Sequence, residues 1–227
     1  MLRTWRGTNK RRHLTASADV YYTLRMEKSP LTQAKLTAAS IGAFFRPRDL
    51  DPLGVSFPEL QRLVAAGTVE KVGRGLYRLV AAEPDEYESI AMVASAAPSG
   101  IVCLLTALRV HGIGTQSPHE VWLAIDRKAR MPTRLSIRVR IVRFSGAMLR
   151  YGVITRRMLG VPVKITTPAR TVVDCFRYRN KVGIDVAMEA LRDAVRSRKA
   201  TVDEISRAAE ICRIRTVIGP YLEALSV

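Results

Sequence analysis

Leu60, Leu63 and Val64 recur at helical spacing between Ser56 and Gly67, the clearest periodic segment in the first third of the chain. Ser56 is a good N-cap, Glu59 three residues later completes a capping box, and Gly67 supplies a stop. Two helices are expected before it: one from Pro30 to about Ser40, and a short one from Pro47 to near Leu53-Gly54. Thr68–Val72 and Leu76–Val80 read as short strands around Gly73-Arg74-Gly75, a hairpin signal. Helix, short helix, helix and basic-tipped hairpin is the order of a winged helix-turn-helix.

Beyond the acidic stretch Glu83-Pro84-Asp85-Glu86 the pattern changes. Pro84 suits the first turn of a helix that runs to about Ala97 and is closed by Pro98-Ser99-Gly100. A strand is expected at Ile101–Leu104, a short helix begun by Thr106, and a strand at Glu120–Ile125. Ser136–Phe144 alternates Ile137, Val139 and Ile141 with Arg138 and Arg140, the period of a half-buried strand. Val153–Met158 and Val161–Ile165 pair through Gly160. Helices follow: one capped by Thr167 and opened by Pro168, one over Ile184–Arg198, and one with a Thr201/Glu204 capping box. Strands first and helices afterwards predict an α+β class, with an N-terminal winged helix-turn-helix followed by a mixed α/β C-terminal domain. The expected boundaries are a basic arm over 1–18, a winged-helix domain over 19–82 and a basic α+β domain over 83–227.

Composition changes this picture mainly through charge. The 227 residues are 48% hydrophobic and 25% charged, ordinary for a globular protein, but 37 Lys and Arg stand against 20 Asp and Glu, a net +17. Such an excess favours nucleic acid or another polyanion as partner. The longest apolar run, Ile101 to Leu108, is far too short to span a bilayer. The basic N-terminus (Arg3, Arg6, Lys10, Arg11, Arg12) has no apolar segment after it and is not a secretory signal. The expectation is a cytoplasmic protein without membrane contact, monomeric or weakly dimeric. Cys103, Cys175 and Cys212 are odd in number, widely spaced and set in apolar stretches, as buried thiols are. With His13, His111 and His119 they form no ligand pattern, so neither metal nor cofactor is expected.

The candidate chemistry is therefore recognition. If Leu60, Leu63 and Val64 face a core, Phe57, Pro58, Gln61, Arg62 and Ala65 face outward. Gln and Arg can bond base edges bidentately, and apolar neighbours can meet thymine methyls. Arg46 and Arg48 open the preceding helix, where phosphate contacts position such a motif, and Lys71, Arg74 and Arg78 decorate the hairpin. Residues 1–82 carry fourteen basic and six acidic side chains. Between Arg127 and Val173 there are twelve Lys or Arg and no acid. Arg127, Lys128, Arg130 and Arg134 precede a strand bearing Arg138 and Arg140, a second candidate surface for DNA, RNA or an acidic protein.

Catalytic signals are thin. Asp126-Arg127-Lys128 follows a strand as in the D-x-K half of metal-dependent nuclease sites, with Glu120 on the same strand face, so a nuclease built on Asp126 and Lys128 is one alternative. A basic protein-interaction module without DNA readout is another. Asp174, between Arg170 and Arg177, fits helix ion pairs, and His111 before Gly112 fits a structural role. No P-loop, GxSxG, HExxH or Rossmann fingerprint is present. The residues read as a binding protein, not an enzyme.

The stretches FFRPRDLDPLGVSFPELQRLVAAGTVEKVGRGLYRL (44–79), LLTALRVHGI (104–113), EVWLAIDRKARMP (120–132) and VKITTPARTVVDCFRYRNKVGIDVAMEALRDAV (163–195) resemble an AbiEi-type antitoxin. That family belongs to bacterial type IV toxin–antitoxin and abortive-infection systems. The resemblance implies a repressor whose winged helix binds inverted repeats in double-stranded DNA at its own promoter. It also implies a C-terminal domain that counters a nucleotidyltransferase toxin. Gln61, Arg62 and Arg74 fall at the recognition-helix and wing positions. The antitoxin surface is expected around Arg127, Lys128, Arg130, Arg138 and Arg140. Pro52 departs from the pattern by interrupting the second helix.

Overall fold

The computed structural model of the protein describes residues 44–73, 75–82, 85–130 and 137–225. The expected basic arm and the expected helix from Pro30 lie outside the described residues. The first described unit is built from β1 (Phe44–Phe45), α1 (Phe57–Ala65), β2 (Val69–Gly73) and β3 (Leu76–Leu79). The strands form an antiparallel sheet in the order β1-β3-β2, with Phe44 opposite Arg78 and Lys71 opposite Tyr77. Leu60 and Leu63 of α1 are sealed against Phe45, Leu50, Val55, Val69 and Tyr77, a small core of its own. The short helix expected from Pro47 is instead two 3-10 turns, Pro47–Asp49 and Asp51–Leu53. Pro52 brings no N–H and its ring crowds the preceding turn, so a continuous α-helix cannot form there.

The second unit starts with α2 (Glu88–Ala96), β4 (Ile101–Val102), α3 (Leu104–His111), β5 (Val121–Asp126) and β6 (Val139–Phe144). It continues with β7 (Val153–Met158), β8 (Val161–Thr166), α4 (Pro168–Arg177), α5 (Arg179–Val182), α6 (Ile184–Arg196), α7 (Val202–Ile211) and α8 (Arg215–Glu223). Five strands make one mixed sheet in the order β6-β5-β4-β8-β7. β5 runs parallel to β6, and β4 parallel to β8, while β4–β5 and β7–β8 are antiparallel. Several boundaries differ from expectation for local reasons. The α2 helix starts at Glu88 because Asp85 Oδ1 takes the Tyr87 N–H at 2.7 Å in a turn before it. Strand β4 is only two residues, because α3 begins at Leu104 and leaves Thr106 inside the helix. There the Thr106 hydroxyl accepts the Trp122 N–H at 2.9 Å.

Apolar layers cover both faces of the large sheet. On one face Ile101, Trp122, Ala124, Val142 and Phe144 meet α4, α6, α7 and α8 through residues such as Phe176, Leu191, Ile205 and Ile218. On the other, Val102, Leu123, Val163 and Ile165 meet Ile90, Ala91, Val93 and Ala94 of α2. Phe44 and Leu76 of the small sheet join this second layer. The three cysteines are free and buried, and burial pushes the Cys103 and Cys175 thiols up. Gly152, at φ +62°, brings β7 in beside α4: a Cβ there would lie 2.8 Å from Cβ of Arg170.

The expected alternation of β6 needs correction. Val139 and Ile141 are half-buried on the α2 side, but the opposite face, which carries Arg138 and Arg140, runs into Val142 and Phe144. That face is solvated only at its start. Both faces of an interior layer are covered, so polar alternation stops where helices pack on the second side.

Candidate nucleic-acid interface

Helix α1 owes its outward face to its caps and its core. The Ser56 N–H donates to Glu59 Oε2 at 2.9 Å and the Ser56 hydroxyl to the same oxygen at 2.8 Å, which fixes the first turn. Burial of Leu60 and Leu63 then turns Phe57, Pro58, Gln61, Arg62 and Ala65 to solvent. Phe57 is 57% exposed, unusual for a large apolar side chain, and Gln61 lies one helical turn beyond it. The Gln61 amide only grazes the Tyr77 hydroxyl at 3.5 Å, so its hydrogen-bonding capacity is nearly free. Arg48 is 70% exposed with a loose 3.9 Å contact to Asp49, and Lys71 is exposed on β2. Arg74 lies outside the described residues.

Two expected contacts are otherwise engaged. The Arg78 guanidinium binds Glu70 at 2.7 Å and also the carboxylate of Glu88 on α2, so it ties the hairpin to the second unit and does not face outward. Arg46 is half-buried: its Nη2 reaches Ser95 Oγ on α2 at 3.4 Å and its N–H donates to Asp49 Oδ2. Sequence reasoning missed Glu88 as a partner. Its signal was an acid in a helix's first turn, which on its own reads as a dipole contact.

The acid-free run from Arg127 to Val173 does not form one patch. Because β5 and β6 are parallel, with Val121 beside Val139 and Asp126 beside Phe144, Arg127, Lys128 and Arg130 sit at one end of the strands and Arg138 and Arg140 at the other. Five residue steps separate them by about 17 Å. Arg127, Lys128, Arg130 and Arg138 are exposed. Arg140 is committed: its Nε is 2.7 Å from Glu120 Oε1, and its guanidinium stacks 5.0 Å from the Trp122 ring. Arg143 curls back to donate to the carbonyls of Asp126 and Ala129, at 3.0 and 2.5 Å, and so fixes the turn after β5.

The structure does not bring Asp126 and Glu120 together. Asp126 Oδ1 accepts the Lys128 N–H at 2.7 Å as a turn acceptor. Glu120 is held by Arg140, six residues and about 20 Å away along the strand. His111 is buried, with Nε2 2.6 Å from the Thr166 carbonyl, and burial holds its pKa below the usual value. The expected i,i+4 ion pair between Arg170 and Asp174 is present and wholly interior: Arg170 Nε meets Asp174 Oδ1 at 2.9 Å with both side chains 0% exposed. Arg170 also donates to the carbonyls of Tyr151 (2.6 Å) and Met148 (3.2 Å) and stacks 5.1 Å from the Phe144 ring. Among the described residues, no helix is long and apolar enough to cross a membrane.

Comparison with known proteins agrees on both units. Residues 35–80 match the family described as transcriptional regulator, AbiEi antitoxin. Residues 100–219, more than half of the chain, match the AbiEi antitoxin C-terminal domain. No curated protein matches the chain significantly. Among solved structures, the RV2827C protein from Mycobacterium tuberculosis is similar with a TM-score of 0.52 at 14% identity, covering 81% of this chain and 70% of that one. At that identity the likeness speaks for the fold alone.

Proposed function

The chain belongs to the AbiEi antitoxin family, and on that premise we propose that it is a non-enzymatic, cytoplasmic repressor and antitoxin that reads an inverted repeat in its own promoter. In this reading residues 19–82 form a winged helix-turn-helix. Helix α1 enters the major groove, with Phe57, Gln61 and Arg62 toward base edges and Arg48 and Lys71 toward phosphates. The observation that carries it is the outer face of α1, where an exposed aromatic, a nearly free carboxamide and an exposed guanidinium share a helix whose other side is sealed. Residues 83–227 serve as the domain that counteracts a nucleotidyltransferase toxin, with Arg127, Lys128, Arg130 and Arg138 as its exposed cations.

The test is binding of the purified protein to its own upstream DNA and to scrambled DNA at two salt concentrations. The expected specificity ratio is ~10³ or more, with a steep salt dependence for both sequences. Arg62→Ala is expected to weaken specific binding by about tenfold or more and non-specific binding far less. Equal binding to both DNAs, or an unchanged ratio in Arg62→Ala, overturns the assignment of α1.

A further inference from the structure

Strand β7 closes the large sheet on one side, and its outer edge carries no neighbour among the described residues. Its inner edge is fully paired, from Val153 opposite Thr166 to Met158 opposite Val161, without a bulge. The strand is therefore regularly paired, and its outer side presents backbone N–H and C=O groups in a row. Four consecutive residues, Ile154 to Arg157, are exposed, and Ile154 is a 37% exposed apolar side chain. Arg156 and Arg157 project to opposite faces of the strand, and Lys164 of β8 stands directly beside Thr155. The segment from 153 to 166 contains no acidic residue. Unlike Arg78, Arg109, Arg140, Arg196 and Arg215, each with a carboxylate partner, the side chains of Arg156, Arg157 and Lys164 make no hydrogen bond or ion pair among the described residues.

We propose that the free edge of β7 is a docking site for an acidic, extended segment of a partner protein, which adds to the sheet as a sixth strand. An open edge offers donors and acceptors alternately, and only another strand satisfies both. A phosphate backbone accepts hydrogen bonds and leaves the edge carbonyls without donors. Charge then selects among strands. A second copy of this chain would bring two more arginines onto the same short stretch, so self-pairing is disfavoured. A strand with carboxylates on both faces meets Arg157 and Lys164 on one side of the sheet and Arg156 on the other. Ile154 gives the incoming strand one apolar contact to fix its register. This surface is separate from the outer face of α1, and the proposal stands whether or not α1 reads DNA.

The experiment uses the full chain and a labelled, end-blocked eight-residue peptide of repeating Thr-Thr-Glu-Glu, which as a strand carries carboxylates on both faces. Its companions are the Thr/Lys counterpart in the same order and a Thr/Glu peptide N-methylated at every residue, so that neither edge keeps a backbone donor. The acidic peptide is expected to bind and the Thr/Lys peptide is not. The N-methylated peptide is expected to bind about tenfold more weakly, because its backbone donors toward the protein are lost. The double variant Arg156→Glu/Arg157→Glu is expected to lose the acidic peptide and to gain the Thr/Lys peptide, which also shows that the variant is folded. Absence of acidic-peptide binding overturns the proposal. So does equal binding of the N-methylated and unmodified acidic peptides, since attraction would then not involve strand pairing. If the double variant instead loses only non-specific duplex DNA, the two arginines track phosphate and the docking site does not exist.

Discussion

Removing Arg170 tests whether the buried pair is a structural linchpin or a dispensable contact. Arg170 is the largest fully buried side chain among the described residues, and it satisfies Asp174, two carbonyls and a ring face at once. Arg170→Met keeps much of the volume but leaves Asp174 without its cation, a loss of about 3–5 kcal/mol for a broken buried pair. The carbonyls of Tyr151 and Met148 lose their donor as well, about 1–3 kcal/mol more. A total near 5 kcal/mol lowers Tm by about 10–20 °C in a chain of this size. The double variant Arg170→Met/Asp174→Leu removes the orphaned carboxylate and is expected to recover about 3 kcal/mol, since apolar replacements of buried pairs are well tolerated. Acidity gives an independent readout. Burial pushes the Asp174 carboxyl up to about 6 from 3.8, against the pull of Arg170. Its Oδ2 has no hydrogen-bond partner among the described residues. A raised carboxyl pKa means the folded state holds the proton more tightly than the unfolded chain. The penalty of the charged form is thus fully present above about 6 and is relieved as pH falls toward 3.8. Without Arg170 that pKa rises further, so the destabilisation by Arg170→Met is expected to be larger at pH 8 than at pH 5.5. Urea unfolding followed by circular dichroism at both pH values measures this. A double variant no more stable than Arg170→Met, or a loss in Arg170→Met independent of pH, refutes the reasoning.

Two smaller perturbations probe the frame around this pair. Gly152→Ala forces a side chain into a left-handed residue and against Arg170, and is expected to cost about 2–4 kcal/mol, read as a lower urea midpoint. Arg198, exposed and left-handed at φ 54° just past α6, occupies a position that suits glycine; Arg198→Gly is expected to raise stability by about 1 kcal/mol, a Tm gain of a few degrees by calorimetry.

Local signals carried well from sequence to structure. The Ser56/Glu59 and Thr201/Glu204 capping boxes mark real helix starts, the Val153–Met158 strand has the expected limits, and Leu60 and Leu63 face a core. What failed was whatever depends on neighbours far along the chain. The depth of Arg170 and Asp174 follows from α4 lying among α3, α6, α7 and α8, which an i,i+4 spacing does not reveal. The cations from Arg127 to Arg140 look contiguous in sequence, yet a parallel crossover sends them to opposite ends of two strands. Arg78 reads as a free wing cation until Glu88 is known to sit beside it. The edge at β7 was equally hidden, because which strand closes a sheet is a property of topology and not of any one segment.

The layer in which Phe44 and Leu76 share cover with Ile90 and Val93 bears on how this protein can be taken apart. A cut near residue 82 looks natural on paper, but it runs through a common interior. Each fragment would present raw apolar surface, prone to clump or to stick to unrelated proteins. Domain swaps between relatives face the same difficulty, because the donor's helix α2 must fit the recipient's hairpin. Inheritance is expected to treat the two halves as one unit, with changes in Leu76 answered by changes in α2.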